Sequence, residues 1–66
     1  MKRWAIVNPQ DGKILGLHRK KAKAIRHRTE NAIRLGYLEG CALDLILTSD
    51  DNLKVGDVIM DGYKNI

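Results

Sequence analysis

The chain has 66 residues, 44% hydrophobic and 30% charged, with 12 Lys/Arg against 8 Asp/Glu and a net charge of +4. That length allows one domain, residues 1–66, and the composition is globular rather than disordered. The only cysteine, Cys41, leaves no internal disulfide, and no apolar run approaches the roughly 18 residues that cross a bilayer.

A domain this small buries only about 60% of the surface its unfolded chain exposes, so added support from oligomerisation or a partner is expected. The start, Met1-Lys2-Arg3-Trp4, is charged but lacks the long apolar region of a secretory signal. The reading is of a cytoplasmic protein with no membrane contact. The charge is unevenly divided. Residues 1–36 carry ten Lys/Arg against Asp11 and Glu30, a net of +8, whereas residues 37–66 carry two against six acids, a net of −4. A polyanion or an acidic partner is expected for the first half.

In chain order, residues 2–7 alternate weakly around Trp4, Ile6 and Val7 and predict a strand. Asn8-Pro9-Gln10-Asp11-Gly12 is turn chemistry throughout. Residues 13–17 then return as the second strand of a β-hairpin with a loop of about five residues. The stretch from His18 to Gly36 has a helical period and holds most of the positive charge. At about 100° per residue, Ala22, Ile25, Thr29, Ala32 and Ile33 share one arc, the expected core face. Lys20, Lys23, His27 and Arg34 fall opposite, and Glu30 is placed to pair with Arg26 and Arg34, each four positions away. Gly36 suits the C′ position of a Schellman ending with Tyr37 as its apolar residue, or the helix runs on to Glu39 and stops at Gly40. Residues 41–48 alternate at Leu43, Leu45 and Leu47 and predict a central, buried third strand. Ser49-Asp50-Asp51-Asn52 is a turn, and residues 53–60 predict a fourth strand, with Tyr63–Ile66 as a tail.

The expected fold is therefore α+β in the order ββαββ, an antiparallel sheet of about four strands with one helix packed on one face. Leu15, Leu17, Leu43, Leu45 and Leu47 would face the helix. Ile14, Ile46, Val58 and Met60 would then lie on an uncovered apolar face, which predicts a homodimer through that face.

The sequence offers little for catalysis. It has no phosphate-binding glycine loop. His18 and His27, nine apart, would point to opposite sides of one helix and make no metal site together. Asp50-Asp51 is explained by its turn, and Asp44 and Asp57 would at most meet across paired strands. Cys41 reads as a small buried residue with no base to activate it. No enzyme activity, cofactor or metal is expected.

The basic helix is more informative. Acids and capping side chains belong at a helix N-terminus, yet here Arg19, Lys20, Lys21 and Lys23 crowd it. An anion docked there would satisfy the free N–H groups and neutralise the cluster together. Arg19, Lys20, Lys23, Arg26 and Arg34 are therefore the expected binding residues, on a helix of about 17 residues that fits a major groove. The expectation is a small basic protein that contacts the DNA or RNA backbone, a dimeric regulatory or accessory factor of weak sequence specificity. With only Trp4, Tyr37 and Tyr63 as aromatics, a single-strand stacking platform is disfavoured. The alternative is a protein-binding module, such as a phage- or mobile-element-type inhibitor or adaptor, docking on an acidic or nucleic-acid-binding surface of a partner.

Overall fold

A computed structural model describes residues 1–37 and 42–59. Its elements are β1 (Arg3–Val7), β2 (Ile14–His18), α1 (Lys21–Arg34) and β3 (Asp44–Thr48). The fold is α+β. The three strands form an antiparallel sheet in the order β2-β1-β3, and α1 lies across one face.

The hairpin forms as its loop chemistry dictates. The Asn8 side-chain carbonyl accepts from the Gln10 N–H at 3.0 Å, and the Asp11 carboxylate accepts from the Lys13 N–H at 2.9 Å. Both are local side-chain turns of the kind Asn and Asp favour. Gly12 adopts φ +75, and its N–H donates to the Asn8 carbonyl at 2.7 Å. Between Ile6 and Val7 the pairing slips, from Ile6 opposite Gly16 to Val7 opposite Ile14, so Leu15 is the extra residue of a bulge. The bulge aims Leu15 toward the helix and Ile14 away from it.

The central strand is β1, not the third strand. Ala5, Ile6 and Val7 are fully buried in succession, which only a strand covered on both faces permits. β3 is an edge strand in which Leu47 remains 48% exposed. On the helix side, Ile6, Ala32 and Leu43 form the core with Leu15, Tyr37 and Leu45. On the other side, Ala5, Val7 and Ile14 form a second core with Leu17, Ile46, Leu53 and Ile59. Leu17 thus faces away from the helix, contrary to expectation.

That second core removes the ground on which a sheet-face dimer was expected. The face carrying Ile14 and Ile46 is covered by the chain's own residues 53–59. The segment is not the continuous fourth strand expected. A turn at Val55-Gly56 interrupts it, braced by the Asp57 carboxylate, which accepts from the Lys54 N–H at 2.9 Å. It docks instead through single bonds. The Ile14 N–H donates to the Asp57 carbonyl, the Gly56 N–H to the Ile14 carbonyl and the Ile59 N–H to the Gly12 carbonyl, each at 2.8 Å. One isolated bridge pairs Lys13 with Val58. Arg3 adds a clip, its Nη2 donating to the Asp50 and Leu53 carbonyls at 2.9 and 3.1 Å. Met60, the tail from Tyr63, Cys41 and the extended helix ending at Glu39-Gly40 lie outside the described residues.

The helix ends at the nearer of its two expected stops. Gly36 has φ +85, its N–H donates to the Ile33 carbonyl at 3.0 Å, and the Tyr37 N–H donates to the Ala32 carbonyl at 2.9 Å. This is the bond pair of a Schellman ending, with Tyr37 and Ala32 in the same core. Nothing lies within 4 Å of a Cβ added at Gly36, so Gly36→Ala carries only the left-handed backbone cost. It is expected to destabilise by about 1–2 kcal/mol, read as a lower urea midpoint with unchanged slope.

Candidate nucleic-acid interface

The helix is shorter and differently rotated than its periodicity implies. It starts at Lys21 with Lys20 as N-cap, and His18 belongs to β2. Its buried residues are Ala24 and Ala32. Of the expected core arc only Ala32 is buried; Ala22, Ile25, Thr29 and Ile33 face solvent. Small side chains let the helix backbone sit close to the sheet, and that packing outweighs the larger area a face of isoleucines would bury.

The N-terminus is open as expected. Lys20 has extended backbone angles (φ −100, ψ 127), its side chain makes no capping bond, and the first turn holds no acid. Arg19, Lys20, Lys23, Arg26 and Arg34 are all exposed. Lys20, Lys23 and Arg26 come together around a shallow open depression that Ala22 completes. Arg34 lies two turns beyond Arg26, about 12 Å along the axis, and Arg19 precedes the helix. At 100° per residue Lys20, Lys23, Arg26 and Arg34 occupy an arc of about 120°, with Glu30 inside it. Glu30 forms no ion pair with Arg26 or Arg34, so neither guanidinium is tied down within the arc.

Two other cations of this segment are held elsewhere. The Lys21 ammonium sits 5.2 Å from the centroid of the Trp4 ring, a cation–π contact that holds it toward the sheet. Arg28 is half-buried, and its Nε is buried without a partner among the described residues. The sequence hid both, because only the true rotation of the helix sends positions 21 and 28 sheetward.

The histidines also depart from expectation. Because His18 is on β2 and His27 on α1, their rings meet, with centroids 4.4 Å apart and planes at 85°. The His18 ring occupies space left by Gly16, where an added Cβ would stand 3.3 Å from its Nε2. That Nε2 is buried without a partner among the described residues. Burial, then His27 and Lys23, hold the His18 imidazole below its ordinary range. The folded state therefore binds this proton more weakly than the unfolded chain. The stability so gained is complete above the unfolded value of about 6.5 and is lost as pH falls through it toward the folded value. Urea midpoints are expected to drop between pH 7.5 and pH 5, and to drop less in His18→Gln; equal drops in both would place the effect elsewhere.

The acidic residues serve the turns. Asp50 Oδ1 accepts from the Asn52 N–H at 2.9 Å, and Asp51 pairs with the Met1 amino group at 3.2 Å on the surface. Asp44 lies opposite Val7 on β3, while Asp57 lies beside Ile14 of β2, so the two do not meet across paired strands. Among the described residues no three or more His, Cys, Asp or Glu gather to hold a metal ion, and no helix is long and apolar enough to cross a membrane. Compared with protein-family models, curated proteins and solved structures, the chain gives no match.

Proposed function

We propose that this chain is a small basic nucleic-acid-binding protein, not an enzyme, that contacts the phosphate backbone through α1. The observation that carries the reading is the exposed arc of Lys20, Lys23, Arg26 and Arg34. Glu30 forms no ion pair with any of its side chains, and the arc stands beside an uncapped helix N-terminus. Anions are favoured at such an end by its free N–H groups and by the helix dipole. Arg19 extends the surface on the β2 side. Side chains that read base edges are few, so the mode is backbone contact with weak sequence preference, suited to a regulatory or accessory factor in the cytoplasm.

The test is a salt-titrated binding assay with duplex DNA, duplex RNA and single strands. With five phosphate contacts, log affinity for duplex DNA is expected to fall against log salt with a slope near about −4.5. Glu30→Gln should tighten binding and Lys23→Gln should weaken it. No binding to any nucleic acid at low salt would sink the reading and leave an acidic surface of a partner protein as the target of the same residues.

A further inference from the structure

The histidine pair lies where the cationic arc of α1 meets β2. At 100° per residue, His27 falls between Lys20 and Arg34 around the helix, inside the arc that Lys20, Lys23, Arg26 and Arg34 define. Lys23 stands one turn before it, about 6 Å along the axis, and Arg34 stands two turns after it. His27 is half-buried, with its ring against that of His18 at 4.4 Å. The hydrogen bond that reaches His27 goes to its backbone, where the Asn31 side-chain amide donates to the His27 carbonyl at 2.9 Å. Packing, not a hydrogen bond, therefore positions the ring among the described residues.

The two imidazoles are not equivalent. His18 Nε2 is buried without a partner among the described residues, so a proton there would place a charge away from water. On the sheet side, Trp4 stands opposite His18 on β1 and carries the Lys21 ammonium over its ring, and β3 lies beyond β1. On the helix side, Lys23 faces His18, and the exposed Glu30 lies one turn beyond His27. Two charged rings this close would repel each other, so the pair holds one proton more easily than two. His27, on the open side of the pair, is the ring a ligand can reach.

We propose that His27 is a further phosphate-binding residue that meets the nucleic-acid backbone as an imidazolium, so that binding takes up one proton from solvent. The inference rests on the reading of α1 as the phosphate-contacting element. A phosphodiester keeps its negative charge throughout the neutral range, whereas histidine is the side chain that gains or loses its charge there. A phosphate docked across Lys20, Lys23 and Arg34 favours the charged ring between them. His18 is the positioning residue: its edge-to-face contact holds the His27 ring at the foot of the arc.

Fluorescence anisotropy of the full chain with duplex DNA, over a salt series at pH 8 and pH 6, tests this, with the far-UV spectrum recorded at both. Affinity at 0.1 M salt is expected to rise about 5-fold from pH 8 to pH 6 in the wild type and less than about 2-fold in His27→Gln. The wild-type salt slope should steepen by up to about 0.9 at pH 6, because one more cation meets phosphate. A ring that only packs against His18 would not change that slope. His27→Lys carries its charge at both pH values, so at pH 8 it should bind at least as tightly as the wild type at pH 6. It also serves as the second variant should His27→Gln lose its far-UV spectrum. The α-amino group changes charge in the same window, but it is common to all three proteins. Binding whose pH-dependence is the same in the wild type and the variants, or a salt slope that does not steepen at pH 6, overturns this inference and leaves the reading of α1 standing. No binding at low salt at either pH overturns both.

Discussion

Replacing Lys20 with aspartate is expected to make the domain more stable and a poorer ligand for nucleic acid at once. Lys20 already has the extended backbone of an N-cap, but its side chain caps nothing. Aspartate there accepts a bond from a free N–H and complements the helix dipole, a gain of about 1 kcal/mol, or roughly 5 °C in Tm for a domain of this size. The same change removes one phosphate contact and adds a repulsive charge, so binding at 0.1 M salt should fall at least about 10-fold. The triple change of Lys20, Lys23 and Arg26 to glutamine carries the larger effect. Each lost contact removes about 0.9 from the salt slope, which moves from about −4.5 to about −1.8, and at 0.1 M the affinity falls by about 500-fold relative to the 1 M reference. Thermal unfolding and fluorescence anisotropy on the same samples decide it. A stability gain with unchanged binding would mean that the cluster is only a solvated face.

Gly12→Ala is expected to have the largest effect on folding. Gly12 sits at φ +75, and an added Cβ would stand 2.5 Å from the Ile59 carbonyl oxygen. Backbone, not a flexible side-chain end, would have to move. The movement breaks the bond from the Ile59 N–H to the Gly12 carbonyl and lifts residues 53–59 from Ile14, which is fully buried beneath them. The left-handed backbone alone costs an alanine about 1–2 kcal/mol, and the lost bond and opened core bring the total to about 3 kcal/mol or more. At about 0.05–0.15 kcal/mol per residue the whole domain has only about 3–10 kcal/mol. Chemical denaturation should therefore find Gly12→Ala near or past unfolding at 25 °C, while Gly36→Ala, with the same backbone cost and open space, remains folded. Equal effects at the two sites would show that the docking of residues 53–59 adds little.

What the sequence made legible follows the range of the forces involved. Asn8 to Gly12 specifies its turn from within, through bonds spanning two to five residues, and the hairpin could be read from it. The Gly36-Tyr37 ending is equally local. The exposed cations were legible because charge stays at the surface. The face of α1 was not. Ile25 and Ile33 outweigh Ala24 and Ala32 in apolar area, but the sheet selects by fit, and that depends on Ile6, Leu43 and Gly16 far away in the chain. The His18–His27 contact was missed because both residues were placed on one helix, when two non-helical residues, Arg19 and Lys20, separate β2 from α1. The strand order was hidden for a similar reason. Leucine alternation in 41–48 looked central, yet the run of fully buried Ala5, Ile6 and Val7 marks β1 as the strand with a layer on each side.

The central position of β1 also sets a schedule. Its two partners come from opposite directions in sequence: β2 follows it through a short turn, and β3 arrives only after the helix. During synthesis the β1–β2 hairpin is complete once His18 has emerged, but the other side of β1 waits for Thr48, its last pairing partner. Those thirty residues take about 1.5–6 s at 5–20 residues per second. For that interval the most deeply buried of the described strands is an open edge on the nascent chain, and the basic helix, which emerges next, is the first element able to shield it.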